Sequence, residues 1–400
     1  AYEIMPSLVG SEMCIRDSVL ECGFEPYERD DGLHPMGMFD PNLRYNKYLR
    51  DQGYESENPW NDFAASALND AGDIVSGWYM RNAHLPARVS AEHSETAYMT
   101  RRAIDFIREA GDEPWSLHLS YIKPHWPYIV PSPYHQMYGV EDVLPAIRSE
   151  DERENAHPVV KAFMSHGEGV VLSDDAARHN VIPTYMGLVK ELDDHLGSLM
   201  AALSDMGRAD DTFIVFTSDH GDYLGDHWLG EKELFHEPSV RIPLIVVDPS
   251  ESAATSRGST SDAFVEGIDL IPTFIDRLGG DARQPWLEGR SFLGAIEGTN
   301  FEPREFVVAE LDYFARKARL ELKVAADQAK GWMVRSGRWK YVFYEGFKPQ
   351  LFDLESDPNE LTDRAEDPAC QGIVRTFQGS QQTQRVRLYN QEPSAVLGRS

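Results

Sequence analysis

The run Thr212-Phe213-Ile214-Val215-Phe216-Thr217-Ser218-Asp219-His220-Gly221 decides the fold. Thr212 to Phe216 are β-prone with apolar side chains on both faces, which predicts a strand buried in a parallel sheet. Asp219 and His220 fall just past its carboxyl end, the edge at which open α/β sheets hold ligands. An adjacent carboxylate and imidazole can both face one divalent ion, and Gly221 lets the backbone turn tightly beneath them. Taken alone, such a triplet is more often a capped turn that happens to contain a histidine.

Before this strand, Leu188, Leu192, Leu196, Leu199 and Leu203 recur at helical spacing and predict an amphipathic helix from Tyr185 to Met206. Further back, Trp115 to Tyr121 reads as a strand. Ser94 to Ala110 reads as a helix through Tyr98, Ala103, Ile104 and Ile107. After the motif come a strand at Leu244 and a helix near Asp269 to Leu278. Strands alternating with helices predict an α/β fold, a mostly parallel sheet sandwiched by helices. Beyond Gly289 the pattern changes. Phe306 to Glu310, Trp332 to Arg335, Trp339 to Tyr344 and Leu351 to Leu354 are short strands split by turn residues such as Ser336-Gly337. They predict a smaller C-terminal antiparallel sheet, reached through a linker around Gly279 to Phe301. Ala146 to Asp174 is charged and irregular and reads as a solvated insertion near the site entrance. Gln371 to Ser400, rich in Gln and Arg, reads as a tail without apolar periodicity, genuine or frame-shifted.

With 42% hydrophobic residues, a chain of 400 can bury a large core as one big domain or two. No apolar run approaches a membrane span. A formal charge of -28 argues against nucleic acid or an anionic membrane as partner, and any anion site must be locally basic. Three cysteines make no disulfide framework. Cytoplasm and periplasm both stay open, because a signal peptide would lie in a head expected to be missing, and a homo-oligomer is open too.

The segments flanking the motif extend it. Gly225-Asp226-His227-Trp228-Leu229-Gly230-Glu231-Lys232 follows, then Phe235-His236-Glu237-Pro238-Ser239-Val240-Arg241-Ile242-Pro243-Leu244-Ile245-Val246-Val247. Earlier stands Leu117-His118-Leu119-Ser120-Tyr121-Ile122-Lys123-Pro124-His125-Trp126-Pro127, and later Leu351-Phe352-Asp353-Leu354-Glu355-Ser356-Asp357-Pro358-Asn359-Glu360-Leu361. In this order, over about Ser94 to Pro368, the chain resembles the sulfatase family of the alkaline phosphatase superfamily. Its nearest likeness is the branch of arylsulfatases and phosphonate monoester hydrolases. The resemblance implies a metal-dependent sulfuric ester hydrolase acting on a small anionic ester. A phosphonate monoester or phosphodiester hydrolase on the same scaffold is the first alternative, and a catalytically inactive binding homologue the second.

The resemblance also implies roles. Asp219 and His220 become metal ligands for one divalent ion, calcium by family, whereas an imidazole ligand moves preference toward manganese or zinc. Lys232 becomes a catalytic and substrate-binding cation, set against the solvated surface lysine that most lysines are. His125 becomes a catalytic and substrate-binding group, set against a turn-capping histidine. Lys123 is a weaker substrate-binding candidate. Asp226 and His227 read as supports behind the metal ligands or as a local hydrogen-bonded pair. His118 reads as a satisfied core histidine, and Asp193, Asp194 and His195 as a solvated helix face.

The head of the chain reads differently. Met13-Cys14-Ile15-Arg16-Asp17 is what ATG TGT ATA AGA GAC encodes, which resembles sequencing-adapter read-through, so residues 1–18 are expected to be artefact. The family's nucleophile is a formylglycine made from the cysteine of Cys-x-Pro-x-Arg, and Cys14, Cys22 and Cys370 all lack that context. The expectation is therefore a fragment that lacks its nucleophile and half its metal site. Its expected parts are residues 19–288 as an incomplete catalytic domain, 302–365 as a C-terminal α+β subdomain, and 366–400 as a tail of uncertain authenticity.

Overall fold

The structure, a computed structural model, describes residues 25–28 and 43–379; the expected artefact at 1–18 lies outside the described residues. Helices α1 to α10 run over Arg44–Asp51, Glu95–Ala110, Glu150–Glu154, Pro158–Met164, Gly167–Leu172, Asp175–Asp205, Glu237–Val240, Leu270–Arg277, Leu293–Ile296 and Lys317–Leu322. Strands β1 to β8 run over Ser66–Leu68, Ile74–Ser76, Ile214–Thr217, Leu244–Val247, Phe306–Asp312, Lys330–Ser336, Trp339–Tyr344 and Gln350–Asp353. The described residues fall into two compact units, those within Ala1–Pro145 and Val170–Thr212, and those within Ala146–Gly169 and Phe213–Ser400.

In the first unit α2 begins where the Ser94 side chain accepts from Ala97 N, and ends at Gly111, whose φ of 56° suits a residue without Cβ. It packs against α6, which starts ten residues before the expected Tyr185 because Asp174 caps it at Ala176 N. Pro183 sits inside α6, and the next residue, Thr184, donates its hydroxyl to Ala83 O at 2.8 Å. Tyr45, Leu49, Trp60, Tyr98 and Ile129 form the core. The strand expected at Trp115 to Tyr121 does not form. That stretch carries no strand, its side chains alternate between half-buried and exposed through Ser120, and His118 is exposed rather than in a core. Alternation alone makes no strand without a ladder partner.

In the second unit the four C-terminal strands pair in the order β5-β6-β7-β8, all antiparallel, as the turn spacing predicts. β3 and β4 also pair antiparallel, Ile214 opposite Val247 and Thr217 opposite Leu244, which corrects the expected parallel arrangement. Parallel neighbours need a crossover, usually a helix, whereas Ser218 to Pro243 holds loops and the short helix α7 and brings the chain straight back. Nor is the pair deeply buried: Ile214, Val215 and Phe216 are half-buried, and Leu244, Ile245 and Val247 are exposed.

The expected solvated insertion at 146–174 is a second correction. It folds into α3, α4 and α5, and Val159, Val160 and Phe163 of α4 lie in the same core as Phe235, Met333 and Phe352. Burying a side chain of that size contributes roughly 1.5–3 kcal/mol, which holds the segment down despite its charge. The presumed tail starts as a helix over 371–379, with Val374 buried and the Phe377 ring stacked on Tyr341 at 5.7 Å.

Candidate active site

Asp219 and His220 leave β3 in a loop that folds back on α7. Gly221 N donates to Ser239 O at 2.7 Å, and a Cβ on Gly221 would lie 1.9 Å from Pro238 O, so only glycine permits this approach. His220 Nδ1 lies 2.7 Å from Gly221 O. A carbonyl only accepts, so Nδ1 carries the proton and Nε2 is left with its lone pair. That Nε2 lies 3.4 Å from Asp219 Oδ2, a spacing that suits two ligands of one cation with bonds of about 2.0–2.4 Å. Burial first, then the positive charge of Lys232, push the His220 ring below its usual value and keep it a neutral donor. The donor pair fits a divalent ion, one oxygen and one nitrogen with the ring's other nitrogen locked to the backbone.

Lys232 follows a loop closed on itself. Tyr223 N donates to Glu231 O at 2.8 Å and Gly225 N to Leu229 O at 2.9 Å, while the Ser239 hydroxyl donates to Lys232 O. Leu224, His227, Trp228 and Glu231 all have positive φ, between 47° and 61°, a concentration of strained backbone in eight residues. Glu231, beside Lys232, is a functional candidate that sequence reasoning missed. Burial pushes its carboxyl up to about 7, with Glu233 adding to the effect. Its only signal was the Glu-Lys-Glu run, which looks like a solvated surface.

Asp226 and His227 bond to the segment at 147–152. Asp226 Oδ1 accepts from Ile147 N at 2.8 Å, and His227 Nδ1 lies 2.6 Å from Glu152 Oε1. His236, not singled out by sequence, stacks on His227 at 4.0 Å and 16°, with its Nδ1 2.9 Å from the Tyr223 hydroxyl. Among the described residues, Glu152, His227 and His236 form the one group of three side chains that could hold a metal ion. As they stand, His227 Nδ1 is engaged by Glu152 and His236 Nδ1 by the Tyr223 hydroxyl. Burial also holds the His236 ring well below its usual value.

His125 and Lys123 belong to the first unit. They sit in a tight turn: His125 N donates to Ile122 O at 3.0 Å, and the Lys123–Pro124 and Trp126–Pro127 peptides are cis. His125 Nδ1 lies 2.6 Å from Trp126 O, the same backbone lock that His220 shows, which again leaves Nε2 as the working nitrogen. Lys123 Nζ donates to Pro127 O at 2.7 Å and to His125 O at 3.4 Å.

A family profile described as Sulfatase matches residues 29–280, and one described as N-sulphoglucosamine sulphohydrolase, C-terminal, matches residues 225–387. The chain is 32% identical over 369 residues to a multifunctional alkaline phosphatase superfamily protein of Trinickia caryophylli, covering 87% of this chain and 69% of that one. It is 30% identical over 321 residues to a choline-sulfatase of Rhizobium meliloti, covering 74% of this chain and 57%, less than two thirds, of that one. Among solved structures it resembles a phosphonate monoester hydrolase of Silicibacter pomeroyi, with a TM-score of 0.78 at 25% identity over 94% of this chain and 73% of that one.

Proposed function

The chain belongs to the sulfatase family, and from that premise we propose that it serves the hydrolysis of small anionic esters, sulfate esters in the first place. The observation that carries the reading is the Asp219 Oδ2 and His220 Nε2 pair at 3.4 Å, with the ring proton locked away on Nδ1. These two residues would hold the divalent ion, calcium by family likeness or manganese or zinc by the imidazole donor. When bound, such an ion supplies Lewis-acid polarisation of a sulfuryl or phosphoryl oxygen.

The remaining work falls to this chain's own groups. The Lys232 ammonium supplies positive charge where the transferring group gains negative charge. His125, with Nδ1 committed to Trp126 O, offers Nε2 either to hydrogen-bond the ester or, protonated, to give its proton to the leaving oxygen. Formylglycine is the proposed nucleophile by family likeness. None of the three cysteines stands in Cys-x-Pro-x-Arg, so the chain as given should turn over neither aryl sulfates nor phosphonate esters above background. A phosphonate or phosphodiester substrate is the second reading, favoured by the likeness to the phosphonate monoester hydrolase. Whether Cys-x-Pro-x-Arg is encoded upstream of the Val19 codon separates either esterase from an inactive binding homologue.

The test is calorimetric titration of the chain with calcium, manganese and zinc, alongside nitrophenyl sulfate and phenyl phosphonate assays. One ion should bind, with loss in Asp219→Ala and in His220→Ala. Binding unchanged in both variants would remove the metal reading. Turnover that disappears on Asp219→Ala would show that another residue replaces the formylglycine.

A further inference from the structure

We infer that Lys123 is a positioning residue, which holds the turn carrying His125 from within the first unit and is itself braced by the buried carboxylate of Glu191. The inference rests on the reading of His125 as the working imidazole. Lys123 Nζ reaches the carbonyls on both sides of Trp126, Pro127 O at 2.7 Å and His125 O at 3.4 Å. Trp126 O, between them, accepts the His125 Nδ1 proton at 2.6 Å. One ammonium therefore ties down the two peptide groups that flank the Trp126–Pro127 peptide, and the carbonyl of that middle peptide fixes which nitrogen of His125 carries the proton.

The brace lies behind the turn. Lys123, Glu191, Glu95, Ser94, Trp60 and Leu188 line one small cavity. Glu191 is 1% exposed, and its Oε1 has no hydrogen-bond partner. Burial raises the proton affinity of this carboxyl most, a Ser94 hydrogen bond and then the Lys123 charge lower it, and Glu95 raises it again. Glu95 is otherwise engaged, since Trp60 Nε1 donates to its Oε1 at 3.3 Å. An ammonium has three donors. Here two point at backbone carbonyls and a buried carboxylate attracts the charge, so contact with an ester oxygen would have to undo that arrangement.

The experiment reads the His125 ring by nitrogen NMR of imidazole-labelled full chain, with the signals assigned by their loss in His125→Gln. The wild type should show one protonated and one bare nitrogen, the Nδ1–H tautomer. In Lys123→Met the two signals should move toward one another as the tautomers mix, and Lys123→Arg, which keeps charge and donors, should restore the separation. Glu191→Gln, which keeps the shape, should give a smaller shift in the same direction and serves if Lys123→Met does not fold. Separate signals in folded Lys123→Met, or no shift in Glu191→Gln where Lys123→Met is unfolded, would overturn the inference. So would inorganic phosphate affinity that falls tenfold in Lys123→Met while the His125 signals stay put, since Lys123 would then be an anion contact. The tautomer comparison needs neither metal nor turnover, so its outcome stands even if the proposed function fails.

Discussion

Glu191 and Glu231 are carboxylates that burial pushes up to about 7 from 4.5. Each binds its proton more tightly in the folded than in the unfolded chain. Folding therefore takes up protons between about pH 4.5 and 7, and stability falls as pH rises through that window. For Glu191 the shift corresponds to about 3 kcal/mol at most. Glu191→Gln should therefore be more stable than wild type at pH 8, by about 1–3 kcal/mol in urea denaturation, with the gap closing toward pH 4.5. A constant difference between pH 4.5 and 8 would show that Glu191 is not the titrating group. The same carboxylate that costs stability is the one that braces Lys123.

At the scale of elements, α7 is the hinge between chemistry and support. Gly221 packs on its backbone, and Lys340 of β7 reaches it from the sheet. Lys340 is fully buried, lies 2.8 Å from Glu237 Oε1 and 2.6 Å from Glu360 Oε1, and donates to Phe235 O at 2.9 Å. Replacing the cation in Lys340→Met leaves Glu360 buried without its partner, which should cost about 3–5 kcal/mol by denaturant midpoint. A loss below about 1 kcal/mol would mean that Arg335, which pairs with Glu237 at 3.1 Å, takes over the neutralisation. Gly221→Ala places a methyl against Pro238 O, so the Asp219–His220 loop must move. It should cost about 1–3 kcal/mol and weaken divalent-ion binding together, by thermal melts and calorimetry. Ion affinity unchanged in Gly221→Ala would show that the loop does not depend on this contact.

Over the whole molecule, the charge of -28 sets what the surface can meet. Among the described residues no helix is long and apolar enough to cross a membrane. Duplex DNA should show no saturable binding in fluorescence anisotropy at about 50 mM salt, because phosphate neutralisation needs clustered Lys and Arg. Saturable, salt-sensitive binding would reveal a basic face that the net charge hides. A substrate anion would be repelled at long range, so the proposed role of Lys232, whose charge acts on His220, is that of a local exception to the field.

The local arrangement was legible in the sequence. Asp219, His220 and Lys232 fall within one return of the chain, Gly221 announces its close approach, and the four C-terminal strands are marked by their turns. These features depend on neighbours a few residues away, which a sequence displays directly. What only the tertiary structure decided depends on surfaces that meet from distant positions. The direction of β4 was misread because its connection lacks a crossover helix. The burial of Val159 and Phe163 was hidden because their apolar side stands among charges. Lys123 points at carbonyls rather than outward because the turn folds over a cavity that Glu191 closes from another helix, sixty-eight positions away. A side chain's identity is written in the sequence, but its partner is set by whichever surface packing brings against it.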